Sequence, residues 1–183
     1  ALLESCQGLT LPTGATGVRF RTDRVAALGQ SLGAQLVNLV GAIDPRIGAV
    51  MPTGSGGLWS LTVLEAELVD GVSTRELIGP LLGTAAPLDF LHPALQLLQT
   101  AWEVGDPVVY AARLTVNPLR GHPRRSIYQP VGLDDPGFSN RVYAAMALAS
   151  GAEQAGEALS PDFPAALTVG SLRSGLAYPV EGN

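Results

Sequence analysis

The apolar positions of this chain follow two rhythms. Short continuous runs at Val25–Leu28, at Ile47–Met51 and within Ser126–Val131 have the length and flanking turn residues of buried parallel strands. Elsewhere apolar residues recur at helical spacing. Leu36, Val37, Leu39, Val40 and Ile43 follow the first run, and Asp44-Pro45-Arg46 stops that helix ahead of the second run, so the three pieces predict a βαβ unit. From Leu58 to about Pro123 the pattern is helical and interrupted. Ser73-Thr74-Arg75-Glu76 has the spacing of a capping box, and Asp106-Pro107 pairs an N-cap with a proline at the first helical position. Between them lies a strongly apolar helical stretch that includes Leu88, Leu91, Leu95, Leu98 and Trp102. Ser139 to Ser150 reads as a helix closed by Gly151. Ala1–Gly8 reads as a helix end, and Ala165–Val169 and Leu176–Val180 read as short extended pieces. The predicted class is α/β, a mostly parallel sheet with flanking helices.

The first strand runs into Gly29-Gln30-Ser31-Leu32-Gly33, a Gly-x-Ser-x-Gly pentapeptide at the junction of a strand and a helix. Alone the pentapeptide is weak evidence. At a strand-to-helix turn it would force Ser31 into a strained backbone conformation and present its hydroxyl at the carboxyl end of the sheet, with Gly29 and Gly33 allowing close passage. The loop Pro52-Thr53-Gly54-Ser55-Gly56-Gly57 follows the second strand, where open α/β sheets place ligands. It has neither the spacing nor the Lys of a phosphate-binding P-loop, and reads as a flexible loop lining the mouth of the serine site. The third strand ends in Gly132-Leu133-Asp134-Asp135-Pro136.

These residues resemble the second half of the α/β-hydrolase fold of serine esterases and lipases. The resemblance implies Ser31 as nucleophile and Asp135 as the acid that orients a histidine, with Asp134 in reserve. It also implies the backbone N–H of Leu32 as one oxyanion donor, and Gly29, Gln30 and Gly33 as the frame of the elbow. On that view residues 1–57 are core with the elbow, 58–123 are a helical cap insertion, and 124–183 resume the core. The family pattern departs in two places. About four strands should precede the elbow and supply the second oxyanion donor, whereas only 30 residues precede Ser31. The histidine should follow the acid, whereas His92 and His122 both precede it. The implied activity is hydrolysis of carboxylic esters through an acyl-enzyme. Its histidine would lie outside these residues, on the remainder of the same hydrolase or on a complementary chain. The alternative is a non-catalytic binding or assembly module on the same scaffold.

Composition narrows the field further. The chain has 183 residues, 46% hydrophobic and 15% charged, with a formal net charge of −5, enough for one domain with a real core. No basic stripe suits nucleic acid, and Arg124-Arg125, the densest basic spot, reads as a solvated loop. All 11 basic residues are Arg, a bias ascribed to a GC-rich genome, and this excludes Schiff-base chemistry. Cys6 is the lone cysteine, so no internal disulfide forms. No His/Asp/Glu cluster has metal-ligand spacing, and neither metal nor cofactor is expected. No apolar run is long enough to span a bilayer; secreted and cytoplasmic locations both stay open. Under the hydrolase resemblance, the apolar helical stretch, as a cap, implies a small-molecule ester with an apolar acyl group.

Overall fold

The computed structural model describes residues 8, 10, 12–67, 71–83, 87–158 and 160–178. Among them, three parallel strands form a sheet in the order β1 (Val25–Gln30), β2 (Ile47–Thr53), β3 (Ser126–Ile127). Helix α1 (Leu32–Ile43) crosses from β1 to β2 and completes the βαβ unit. Four helices separate β2 from β3: α2 (Trp59–Glu65), α3 (Thr74–Leu81), α4 (Pro93–Trp102) and α5 (Pro107–Ala111). After β3 come α6 (Asn140–Ser150) and α7 (Asp162–Val169). The chain is therefore a small α/β domain with parallel strands and flanking helices. No helix of the described residues is long and apolar enough to cross a membrane.

Strand alternation decides what is buried. Val25 and Ala27 of β1, Ile47 and Val50 of β2 and Ile127 of β3 share the face packed on Val37 and Ala42 of α1 and on Leu114. Ala26 and Leu28 point the other way and are exposed, Leu28 by 70%. Along α1, Leu32, Leu36, Val40 and Ile43 make a second exposed apolar line. Among the described residues β1 pairs only with β2, and no strand among them lies on its outer edge. All-parallel sheets are ordinarily covered on both faces.

Strand β3 is shorter than the apolar run predicts because two prolines remove successive rungs of the ladder. Tyr128 N donates to the Val50 carbonyl, and Gly54 N donates to that of Pro130. The rungs between them would need an N–H on Pro52 and on Pro130, which proline lacks. The chain from 128 to 131 nevertheless stays beside β2.

The helical segment has its own core of Val63, Leu64, Leu88 and Leu95, against which Ile78, Leu82 and Trp102 pack. Asp106 joins it to the post-β2 loop. Its fully buried carboxylate accepts from the N–H groups of Leu58 (2.8 Å), Trp59 (2.8 Å) and Val108 (3.1 Å) and from Gln99 Nε2 (2.8 Å). One side chain thus caps both α2 and α5, as the Asp-Pro pair predicts for α5. The capping box at Ser73 does not form: α3 begins there, but the Ser73 side chain makes no cap hydrogen bond. Helix α6 has both predicted caps, Ser139 Oγ accepting from Val142 N at 3.3 Å and Gly151 in the left-handed conformation.

Two further expectations are corrected. Ala165–Val169 belongs to α7, a helix rather than an extended piece; Ser160 Oγ accepts from Asp162 N, and Leu167 is buried. The start signal Ser160-Pro161-Asp162 stands in the sequence. Leu176 makes only an isolated parallel bridge to Ala155, and residues 179 and 180, like the Ala1–Gln7 helix end, lie outside the described residues.

Candidate functional site

Ser31 closes β1 and opens α1 with φ 55° and ψ −121°, a region that non-glycine residues seldom enter and that costs about 1–3 kcal/mol. A serine at a helix N-cap ordinarily accepts from the second or third N–H of its own helix. Ser31 makes no such bond, and the residue is exposed. Its backbone N donates to the Thr53 carbonyl at 3.1 Å, which fixes the turn to the end of β2. Leu32, exposed by 67%, is the first residue of α1, so its N–H stands beside Ser31 at the positive end of the helix dipole.

The two motif glycines are unequal. A Cβ on Gly29 would stand 2.3 Å from the Gly33 carbonyl oxygen and 2.9 Å from Ala34 N, both backbone, so only glycine fits there. A Cβ on Gly33 would meet nothing within 4 Å, and the close passage depends on Gly29 alone. Gln30 is exposed on β1 opposite Thr53.

Asp135 lies in the loop after β3, at the same end of the sheet as Ser31. Its Oδ1 accepts from Gly137 N (2.7 Å) and Phe138 N (3.2 Å), and its Oδ2 from the Tyr143 hydroxyl (2.6 Å). Burial pushes the carboxyl pKa up, but the Tyr143 hydroxyl and the two N–H donors together outweigh it and hold it below the ordinary value. Burial and the neighbouring carboxylate push the Tyr143 hydroxyl well up, so it stays a donor. Asp134, the reserve candidate, is exposed and has φ 54°. Between Ser31 and Asp135 stands the end of β2: Oδ2 lies 3.9 Å from where a Cβ on Gly54 would be. Two ladder spacings separate β1 from β3, roughly 10 Å.

The loop after β2 is not the flexible lip its composition suggests. Ser55, Gly56 and Gly57 are buried, and a Cβ on Gly56 would overlap the Phe138 ring at 2.1 Å. Asn38 Nδ2 of α1 donates to Ser55 Oγ at 2.8 Å. Gly56 packs against the 135–138 turn, and Gly57 against Met146 and Val108. Beside that turn, an open acidic cleft is lined by Glu65, Glu67, Asp134, Asp135 and Asp162, with Arg141 paired to Glu65.

Neither histidine joins Ser31 and Asp135 in a triad among the described residues. His92 is the N-cap of α4, its Nδ1 accepting from Ala94 N at 3.2 Å. His122 lies just before β3, at the amino end of the strands, and its Nδ1 is 3.0 Å from Arg125 Nη2. Since guanidinium only donates, that nitrogen is an acceptor. Arg125 itself overturns the solvated-loop reading: it is 1% exposed, Nη1 donating to the Pro123 carbonyl (2.7 Å) and Nη2 to that of Asp44 (3.1 Å). No group of three or more His, Cys, Asp or Glu among the described residues is arranged to hold a metal ion.

No family model matches this chain. No curated protein matches its sequence either. The α/β scaffold is compatible with an enzyme.

Proposed function

We propose that this domain carries the nucleophile and the acid of an α/β-hydrolase-like serine hydrolase acting on carboxylic esters. The observation that carries the reading is the backbone of Ser31: φ 55° and ψ −121° at a strand-to-helix corner, with a hydroxyl withheld from its own helix cap. In this reading the corner is a nucleophile elbow framed by Gly29, Gln30 and Gly33. Ser31 attacks the ester carbonyl, a histidine takes its proton and returns it to the leaving alcohol, and Leu32 N–H stabilises the oxyanion. Asp135, held ionised by Tyr143, Gly137 and Phe138, orients that histidine from across β2. Two hydrogen bonds of roughly 3 Å leave space for one imidazole in such a gap.

The histidine would come from outside these 183 residues, on the remainder of the same hydrolase or on a complementary chain. The edge of β1 that no described strand pairs with and the exposed Leu28, Leu32, Leu36, Val40 and Ile43 support such a neighbour, because paired strands and packed helices ordinarily cover surfaces of this kind. The helical segment 58–123, with its separate core, fits a cap over the site. The acidic cleft beside Asp135 favours uncharged over anionic substrates.

The test is a fluorophosphonate probe on the intact gene product, read by mass spectrometry, with p-nitrophenyl butyrate turnover alongside. Label is expected on Ser31; Ser31→Ala should remove it, and Asp135→Asn should lower turnover about ten-thousandfold. Absence of label on the intact product would favour the binding or assembly module instead, a reading supported by the histidines' engagement elsewhere.

A further inference from the structure

A cavity of about 360 Å³ lies on the far side of β3 from Ser31, between the stretch 127–133 and the segment 152–157. Two extended segments run past each other there without laddering. Segment 152–157 is tied to 173–176 instead: Gln154 N donates to the Arg173 carbonyl (3.0 Å), Leu176 N to that of Gln154 (3.1 Å), and Gly156 N to that of Leu176 (2.8 Å). Among the described residues no backbone hydrogen bond joins 152–157 to 128–131. Val131 and Leu133 form one wall, Ala152 and Ala155 the other, and Ala147 and Phe163 line it from the helices.

One neutral donor among the lining groups, the buried Gln129 Nε2, has no hydrogen-bond partner among the described residues and is free for a hydroxyl oxygen; the side chains of Glu153, Gln154 and Glu157 are engaged or negative. Gln154 Nε2 donates to the carbonyls of Ala155, Gly156 and Glu157, and its Oε1 accepts from Gly175 N. Glu153 makes a bidentate ion pair with Arg173. Glu157 is an exposed carboxylate among the lining residues, and no Arg or His lines the cavity. An anion would find no cation here and one like charge. The volume falls at the small end of ligand pockets, which span roughly 300–1,000 Å³.

We propose that this cavity is a binding site for a small uncharged aliphatic molecule, of the size and polarity of a medium-chain alcohol. The site stands whether or not Ser31 is a nucleophile. One wall is the Tyr143 ring, whose hydroxyl holds Asp135, so the occupant sits directly behind the candidate acid.

The test is a titration with the neutral dye N-phenyl-1-naphthylamine, displaced by 1-decanol or by decanoate. One dye per chain is expected, with decanol displacing it at a concentration at least tenfold below decanoate. Ala147→Trp, or Ala152→Trp should the first variant fail to fold, fills the cavity and should weaken dye binding at least tenfold while circular dichroism and the thermal melt stay native. Leu36→Glu, on the exposed line of α1, should leave binding unchanged. Full binding in a folded tryptophan variant, equal displacement by the two competitors, or loss of binding in Leu36→Glu would each overturn the proposal.

Discussion

The two ends of the three-stranded sheet are built on opposite principles. At the amino end the charged groups are held by their neighbours, although the buried Arg125 Nε has no hydrogen-bond partner among the described residues. Arg125 reaches the carbonyls of Asp44 and Pro123 and the ring of His122, and Arg46 grips the Asp44 carboxylate from two residues away. At the carboxyl end the backbone is held in an unfavourable conformation at Ser31, its hydroxyl is left out of the helix cap, and Asp135 stands ionised in a partly open turn. The amino end places its polar groups where they stabilise; the carboxyl end spends stability to keep two groups presented. Strain that the surroundings maintain at one corner is a pointer to function, whereas a buried cation whose Nη atoms bind backbone carbonyls is a pointer to architecture.

Three substitutions bear on this contrast. The largest effect is expected at the amino end, where Arg125→Ala strips donors from two backbone carbonyls and leaves a cavity. It should cost about 3 kcal/mol in urea unfolding while Ser31 in the folded intact product still labels. A loss under 1 kcal/mol would mean that the guanidinium is incidental. At the carboxyl end the sign should reverse. Ser31→Gly suits φ 55° and should raise stability by about 1 kcal/mol as it eliminates labelling; a destabilised glycine variant would remove the strain argument.

The smallest effect concerns pH. Arg46 holds the Asp44 carboxyl down at about 2, chiefly through its side-chain hydrogen bonds. A carboxyl depressed on folding stabilises the protein above its unfolded pKa and loses that contribution as pH falls through the folded one. The stability gap between wild type and Asp44→Asn should therefore be constant above about pH 5, shrink below the ordinary carboxylate range and close near pH 2. A gap that is flat down to pH 2 in urea melts would show the ion pair to be inert.

What could be read from the sequence was whatever depends on neighbours along the chain. The βαβ unit around Ser31, the Asp106 cap on α5, and the Ser139 and Gly151 ends of α6 all rest on residues a few positions apart. The first rung lost from β3 was hidden because it belongs to Pro52 on the partner strand, and the burial of Arg125 because its acceptor at Asp44 is 81 residues distant. Gly56 and Gly57 read as a flexible loop by composition, but Phe138 and Met146 press on them from far along the chain. At the candidate site, the strand-to-helix corner at Ser31 was legible from Gly-x-Ser-x-Gly in context. The role of Tyr143 was not, since nothing in an apolar helix marks one tyrosine as the partner of a carboxylate eight residues earlier.

The flank of β1, which no described residue pairs with, also governs how this polypeptide should behave in a test tube. It presents a strand edge with neither proline nor lysine to deter pairing, next to a line of leucine, valine and isoleucine side chains. Prepared by itself, the 183-residue protein should self-associate as its concentration rises. Its melting temperature should climb on dilution-series comparison toward the concentrated samples, as mass action requires when only the folded form joins the assembly.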